Sequence, residues 1–150
     1  MSDAQGLAGW NLRVGRGYRT VEMSKGGFQW PPALRVSSNM EVLEKGLLND
    51  YTPCRLAPLL EVAQQIAEVH AELLLIHPFR DGNGRLARWL AGLMAQQAGY
   101  PSPMMRFSGR NSLVERERYL NAVQQGYLQN YDALTDFFRK TIERWVLLSG

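Results

Sequence analysis

Apolar residues recur at helical spacing along most of the chain, and the densest run lies between Leu56 and Ile76. There Leu59, Leu60, Val62, Ala63, Ile66, Ala67, Val69, Leu73, Leu74 and Ile76 cover more than one face, which predicts a helix at the centre of a bundle. His77 and Pro78 stop it, because proline disfavours helical geometry in the residue before it. Periodicity resumes from Gly84 to about Ala98 through Leu86, Trp89, Leu90, Leu93 and Met94, with Gly99 as a C-terminal cap. Ser112-Leu113-Val114-Glu115 reads as a capping box opening a helix through Tyr119, Leu120, Val123 and Tyr127. Asp132 is expected to cap the last helix, whose Leu134, Phe137, Phe138, Ile142, Trp145 and Val146 supply apolar contacts to about Leu148. Upstream, Ser38-Asn39-Met40-Glu41 fits another capping box, followed by Leu43 and Leu47 and an end near Asn49-Asp50.

Before Ser38 the period changes. Tyr18 to Met23 carries β-formers in partial alternation, Ser24-Lys25-Gly26-Gly27 supplies turn residues, and Phe28-Gln29-Trp30 alternates again before Pro31-Pro32. The prediction is an all-α domain of about five to six helices with a small β-hairpin. Residues 1–150 form one domain: a loose terminus over 1–12, a hairpin over about 18–31 and a helical core over 38–148. At this length a core needs neither disulfide nor structural metal, and the single cysteine, Cys54, is expected to be a small buried filler.

Charge narrows the partners. A net charge of +3 suits an anionic ligand, but Lys and Arg are scattered and no nucleic-acid-binding signature appears, so nucleic acid is not expected. No run approaches the length of a membrane span, and residues 1–5 lack the basic and apolar regions of a signal peptide. A cytoplasmic protein is expected, with delivery to a host cell as an effector left open.

Residues 77–88 concentrate the chemistry. Gly82-Asn83-Gly84 sits where a loop becomes a helix, so free backbone N–H groups and the helix dipole favour an anion there. Arg85 and Arg88 share one face of the first helical turn and suit outer phosphate oxygens. Asp81 is the one acid in the turn, and a single carboxylate with phosphate oxygens and water is how Mg²⁺ is ordinarily held. His77 has an imidazole suited to taking a proton near neutral pH, and Phe79 is expected to point into the core. His70, with no ligand-type partner at i+4 or i−4, reads as structural.

The stretch His77-Pro78-Phe79-Arg80-Asp81-Gly82-Asn83-Gly84-Arg85-Leu86-Ala87-Arg88 resembles the Fic family signature at every defined position. The resemblance implies transfer of AMP from ATP to a Tyr, Thr or Ser hydroxyl of a target protein. It implies His77 as general base and Asp81 as the Mg²⁺ ligand. Gly82, Asn83 and Gly84 would form the anion hole, Arg85 and Arg88 would meet the outer phosphates, and Tyr119 would border the base. The hairpin, Thr20, Val21, Glu22, Met23, Ser24, Lys25, Gly26, Gly27 and Phe28, corresponds to a flap that registers the target main chain by strand addition.

Two departures stand out. The inhibitory string of many relatives has its nearest counterpart in Ser37-Ser38-Asn39-Met40-Glu41-Val42, whose final residue differs, so it reads as an ordinary helix start. The resemblance then implies a bare catalytic core, toxin-like and restrained by a separate antitoxin-like protein that sets a Glu against Arg88, or by a segment not present in this sequence. Gly126 falls where some relatives have Asn near the base. Competing readings are a donor other than ATP, such as UTP or a phosphocholine carrier, a nucleotide-binding module with little catalysis, and a basic nucleic-acid binder resting on charge alone.

Overall fold

The computed structural model describes residues 17–103 and 105–149, with the side chain of residue 149 outside it; the terminus expected over 1–12 lies outside these residues. Two short strands, β1 (Ser24–Lys25) and β2 (Phe28–Gln29), are followed by a 3-10 turn, Ala33–Arg35, that leads into helix α1 (Val36–Leu43). A π-helical turn at Glu44–Leu48 and a helical turn at Asn49–Tyr51 extend it. Then come α2 (Leu59–Ile76), α3 (Asn83–Gln97), α4 (Ser112–Tyr127) and α5 (Asp132–Ser149). The all-α domain with a hairpin is what is found.

Helix α2 occupies the centre, in contact with α1, α3, α4 and α5. Val62, Ala63, Ile66, Ala67, Val69 and Ala71 are at most 1% exposed. Burying each Val or Ile contributes roughly 1.5–3 kcal/mol, so this helix anchors the bundle. Leu134, Phe138 and Ile142 of α5 close it from the other side. Trp145 and Val146, expected in the core, are substantially exposed instead. Cys54 is buried, as expected of a filler.

The local differences have identifiable causes. The predicted strand over Tyr18–Met23 is absent: Arg19 sends its N–H to the Pro78 carbonyl, and only the Met23 carbonyl pairs across the hairpin, with the Trp30 N–H. Ser24 and Lys25, expected in the turn, are strand residues paired with Gln29 and Phe28. The turn is Gly26-Gly27, with φ of 56° and 83°, the primed geometry a two-residue hairpin favours. Ser38 is no cap, because the chain turned helical before it; its Oγ donates to the Arg35 carbonyl. The entry is set by Pro32 and by Glu22, whose carboxylate accepts the Ala33 N–H. Helix α2 starts at Leu59 after Pro58, later than the apolar run suggested.

The Ser112 capping box does not form either. Asn111, left-handed at φ 68°, precedes the helix, and the Glu115 carboxylate accepts the Arg106 N–H and an Arg144 N–H instead. Asp132 is the first residue of α5, where its charge favours the helix dipole. Gly99 does end α3: at φ 85° it sends its N–H to Gln96 while Tyr100 reaches Ala95.

Candidate active site

The site is built where α2 runs out. Pro78 forbids another helical residue before it, and His77 turns left-handed, at φ 52° and ψ 61°. That conformation costs a non-glycine residue roughly 1–2 kcal/mol. It carries the chain out of the core and leaves the imidazole at the lip of the turn. The ring stacks on Trp30 at 4.0 Å with an interplanar angle of 21°. Trp30 meets Phe28 edge-on at 5.3 Å, and Phe28 stacks on Tyr127 of α4 at 5.0 Å. An aromatic ladder thus ties the hairpin to the imidazole at one end and to the bundle at the other.

Burial lowers the His77 pKa, with the Arg19 charge adding to the effect and the Leu74 carbonyl opposing it. Burial thus favours the neutral form of the ring, the form that can take a proton. Its Nδ1 is buried with no partner in full hydrogen-bonding geometry, the Leu74 carbonyl being the acceptor that favours a proton there, so Nε2 is the nitrogen left to take a proton from outside. Pro78 is buried, and Phe79 is half-buried against Tyr18 at 5.9 Å.

The loop then turns at Gly82, where φ of 86° requires glycine, and α3 begins. The Gly82 N–H is held by Asp81 Oδ1 at 2.8 Å. Leu86 is the first N–H of the helix to find a backbone acceptor, the Gly82 carbonyl. The N–H groups ahead of it are those a helix leaves for an anion. The Asn83 side chain, expected among the phosphate-holding groups, is committed to the loop. Its Oδ1 accepts the Phe79 N–H at 2.9 Å and its Nδ2 donates to the Phe79 carbonyl at 2.7 Å. What Asn83 offers an anion is its main chain.

Asp81 and Arg85 project outward, side chains 93% and 76% exposed, with their charges 3.5 Å apart. Among the described residues no three His, Cys, Asp or Glu side chains cluster around a common point. A divalent cation here would have one protein carboxylate, Asp81, a donor set that fits Mg²⁺ completed by phosphate and water. Arg88 folds back over Gly84, where an added Cβ would come within 2.9 Å of its Nη1. The guanidinium lies 5.9 Å from the Phe107 ring centre.

Tyr119, expected at the base of a nucleotide, is 5% exposed. Its hydroxyl meets His70 Nε2 at 2.6 Å, while His70 Nδ1 faces the Ala87 carbonyl at 3.1 Å. With Nδ1 donating, Nε2 accepts from the tyrosine, so His70 is neutral and structural. Burial drops its pKa to about 4, against the opposing Ala87 bond. Burial pushes the Tyr119 hydroxyl up to about 12 although the Arg88 charge pulls it down. The pair supports the first turns of α3 from below. Gly126 also faces inward: an added Cβ would lie 2.6 Å from that of Ala71, so a larger residue there would part α2 from α4. Glu41, in the inhibitory-like string, pairs with Lys45 one turn later.

Two clefts, of about 630 and 690 Å³, flank the site: one between α4 and α5 lined with Arg106, Arg110, Arg118 and Lys140, the other apolar along α1 and α3. Neither is lined by His77, Asp81, Arg85 or Arg88. Chemistry rather than either of these clefts therefore locates the candidate site. Sequence reasoning missed the residues that hold it: Arg19 and Tyr127.

Residues 6–95 match the profile of the Fic/DOC family. The chain belongs to that family. This Fic chain is 36% identical over 93 residues to protein adenylyltransferase Fic of Nematostella vectensis, a match that covers 61% of the chain and 21% of the relative. It is 30% identical over 87 residues to protein adenylyltransferase VbhT of Bartonella schoenbuchensis, covering 58% of the chain and 17% of the relative. The chain thus spans about a fifth of the length of these curated relatives. Among solved structures, BepC of Bartonella tribocorum, with AMPPNP bound, superposes at a TM-score of 0.65 with 25% identity, covering 82% of this chain and 56% of that one. A Fic domain from Bartonella quintana shares the fold at a TM-score of 0.64 and 21% identity, covering 88% of this chain and 64% of that one.

Proposed function

We propose that this Fic chain is a protein adenylyltransferase that moves AMP from ATP to a Tyr, Thr or Ser hydroxyl of a target protein. The observation that carries the reading is geometric: the His77 ring, held against Trp30, lies in the turn that leads into a helix start presenting free N–H groups and arginines. Family membership, curated relatives with this activity and the AMPPNP bound to BepC support it.

His77 Nε2 takes the target hydroxyl proton as the oxygen bonds the α-phosphorus, the α-phosphorus bond to the bridging oxygen breaks, and pyrophosphate leaves. In-line transfer of this kind is mostly positioning and charge stabilisation. The main-chain N–H groups at residues 83–85 hold an inner phosphate, and Arg85 and Arg88 meet the outer ones. Asp81 would hold Mg²⁺, which when bound neutralises phosphate charge. Tyr119 contributes by supporting Arg88. The outer edge of β1, with Ser24 and Lys25 exposed, accepts an extended target segment, while Thr20, Val21 and Gly26 stay open around it.

Arg88 has no carboxylate partner among the described residues. Arg88 is thus open to control by a glutamate from outside these residues, which in our reading comes from a separate antitoxin-like protein that restrains a toxin-like enzyme, or from a further segment of the same protein. No helix among the described residues is long and apolar enough to cross a membrane, and the cytoplasm, which holds ATP and targets, is the proposed place of reaction. The test is mass spectrometry of lysate proteins incubated with Mg²⁺ and ATP and either the wild type or His77→Ala. AMP-modified peptides are expected with the wild type alone. Equal modification with both, or none with either, would reject the reading.

A further inference from the structure

The base of the hairpin buries a charge for which the transfer chemistry above has no use. Arg19 is 2% exposed, yet no carboxylate pairs with it among the described residues. Its guanidinium donates only to carbonyls: Nε to His77 at 2.5 Å, Nη2 to Ile76 at 3.3 Å and Pro31 at 2.6 Å, and Nη1 to Val21 at 3.0 Å.

Burying an unpaired cation costs several kcal/mol unless its hydrogen bonds are well made. A helix C-terminus welcomes a cation, but an exposed lysine at its end would serve that purpose. The acceptors distinguish the two cases. Two of them are the last carbonyls of α2 and its turn, and two are the opposite sides of the hairpin base. A planar fork can fix these segments in one geometry, which a flexible ammonium cannot. From Pro31 the chain passes directly to Trp30, whose ring lies on the His77 imidazole. His77 is therefore gripped twice, at its carbonyl and at its ring, and both grips run through Arg19.

We propose that Arg19 is the positioning residue of the candidate base: its guanidinium locks the left-handed backbone of His77 to the hairpin base and thereby seats the imidazole against Trp30. The catalytic meaning of this lock rests on the transferase reading. The lock itself does not.

The chain has two histidines, so imidazole NMR separates a reporter of the turn, His77, from a reporter of the core, His70. Arg19→Lys keeps the charge and loses the fork; Arg19→Met loses both. In each variant the His77 ring resonances should leave the positions imposed by the Trp30 ring current, while those of His70 stay. Transfer should fall by about a hundredfold in kcat, the scale of an ångström-sized misplacement, with the Kd for ATP unchanged. Unmoved His77 resonances in either folded variant would overturn the proposal. So would loss of the folded state in both, which would assign Arg19 to the fold as a whole. If the wild type transfers nothing, the transferase reading fails alone, and the two sets of imidazole resonances still decide whether the lock exists.

Discussion

The two sides of the motif turn are built on opposite plans. On the hairpin side everything is tied down: Arg19 is buried among carbonyls, His77 is stacked on Trp30, and Phe28 connects that stack to Tyr127. On the helix side Asp81 and Arg85 stand in solvent, joined only by a 3.5 Å ion pair that high dielectric makes weak. A base works only from a defined position relative to the attacking oxygen. Phosphate and metal ligands can close onto a ligand that brings its own charge, so they need reach rather than fixity.

The fixed and the open side can each be perturbed separately. The largest effect belongs to the fixed one: His77→Ala should lower kcat by about 10³-fold, within the range for a general base, while the Kd for ATP measured by calorimetry stays within a few-fold. A large loss of ATP affinity would show that the two sides are not separate. Next comes the support beneath the helix side. His70 is neutral in the fold with its pKa near 4, against an ordinary 6.5. The unfolded chain therefore binds the extra proton first. This group's contribution is complete above pH 6.5, shrinks as pH falls from 6.5 toward 4 and changes no further below that. The whole swing is roughly 3 kcal/mol, readable as a drop in urea midpoint that His70→Gln should largely abolish.

Smaller effects follow. Gly84→Ala places a methyl 2.9 Å from Arg88 Nη1, so ATP binding should weaken about tenfold, the worth of one charge-assisted hydrogen bond. Alanine is also the better helix former, by about 1 kcal/mol, so the same variant should melt no lower than the wild type. Phe28→Ala removes two ring contacts from the ladder, each worth about 0.5–1.5 kcal/mol beyond area. A several-fold rise in KM for the target with ATP binding intact is expected, and an unchanged KM would remove the flap from target docking.

The open side was legible in the chain because its chemistry is contiguous: His77, Asp81, Gly82, Gly84, Arg85 and Arg88 fall within one turn and the start of one helix. The central helix was legible because burial on several faces leaves an unmistakable apolar run. The fixed side was not. Arg19 sits among β-formers and looks like a solvated strand residue, and its four acceptors come from three places in the chain. The His70–Tyr119 bond joins residues 49 apart with nothing local to announce it. Ser38 and Ser112 match capping strings, but a string cannot register Glu22 capping the turn at Ala33 or Arg106 and Arg144 claiming Glu115. Gly126 was read against a site, although Ala71 determines it.

The proposed transfer is defined by which phosphorus is attacked and by whose help. Target protein incubated with this chain, Mg²⁺ and ATP labelled at either the α- or the γ-phosphate answers both. Protein-bound label is expected from α-labelled ATP with the wild type, none with His77→Ala, and none from γ-labelled ATP with either. Label arriving from the γ-phosphate, or α-label undiminished by His77→Ala, would contradict the proposed transfer.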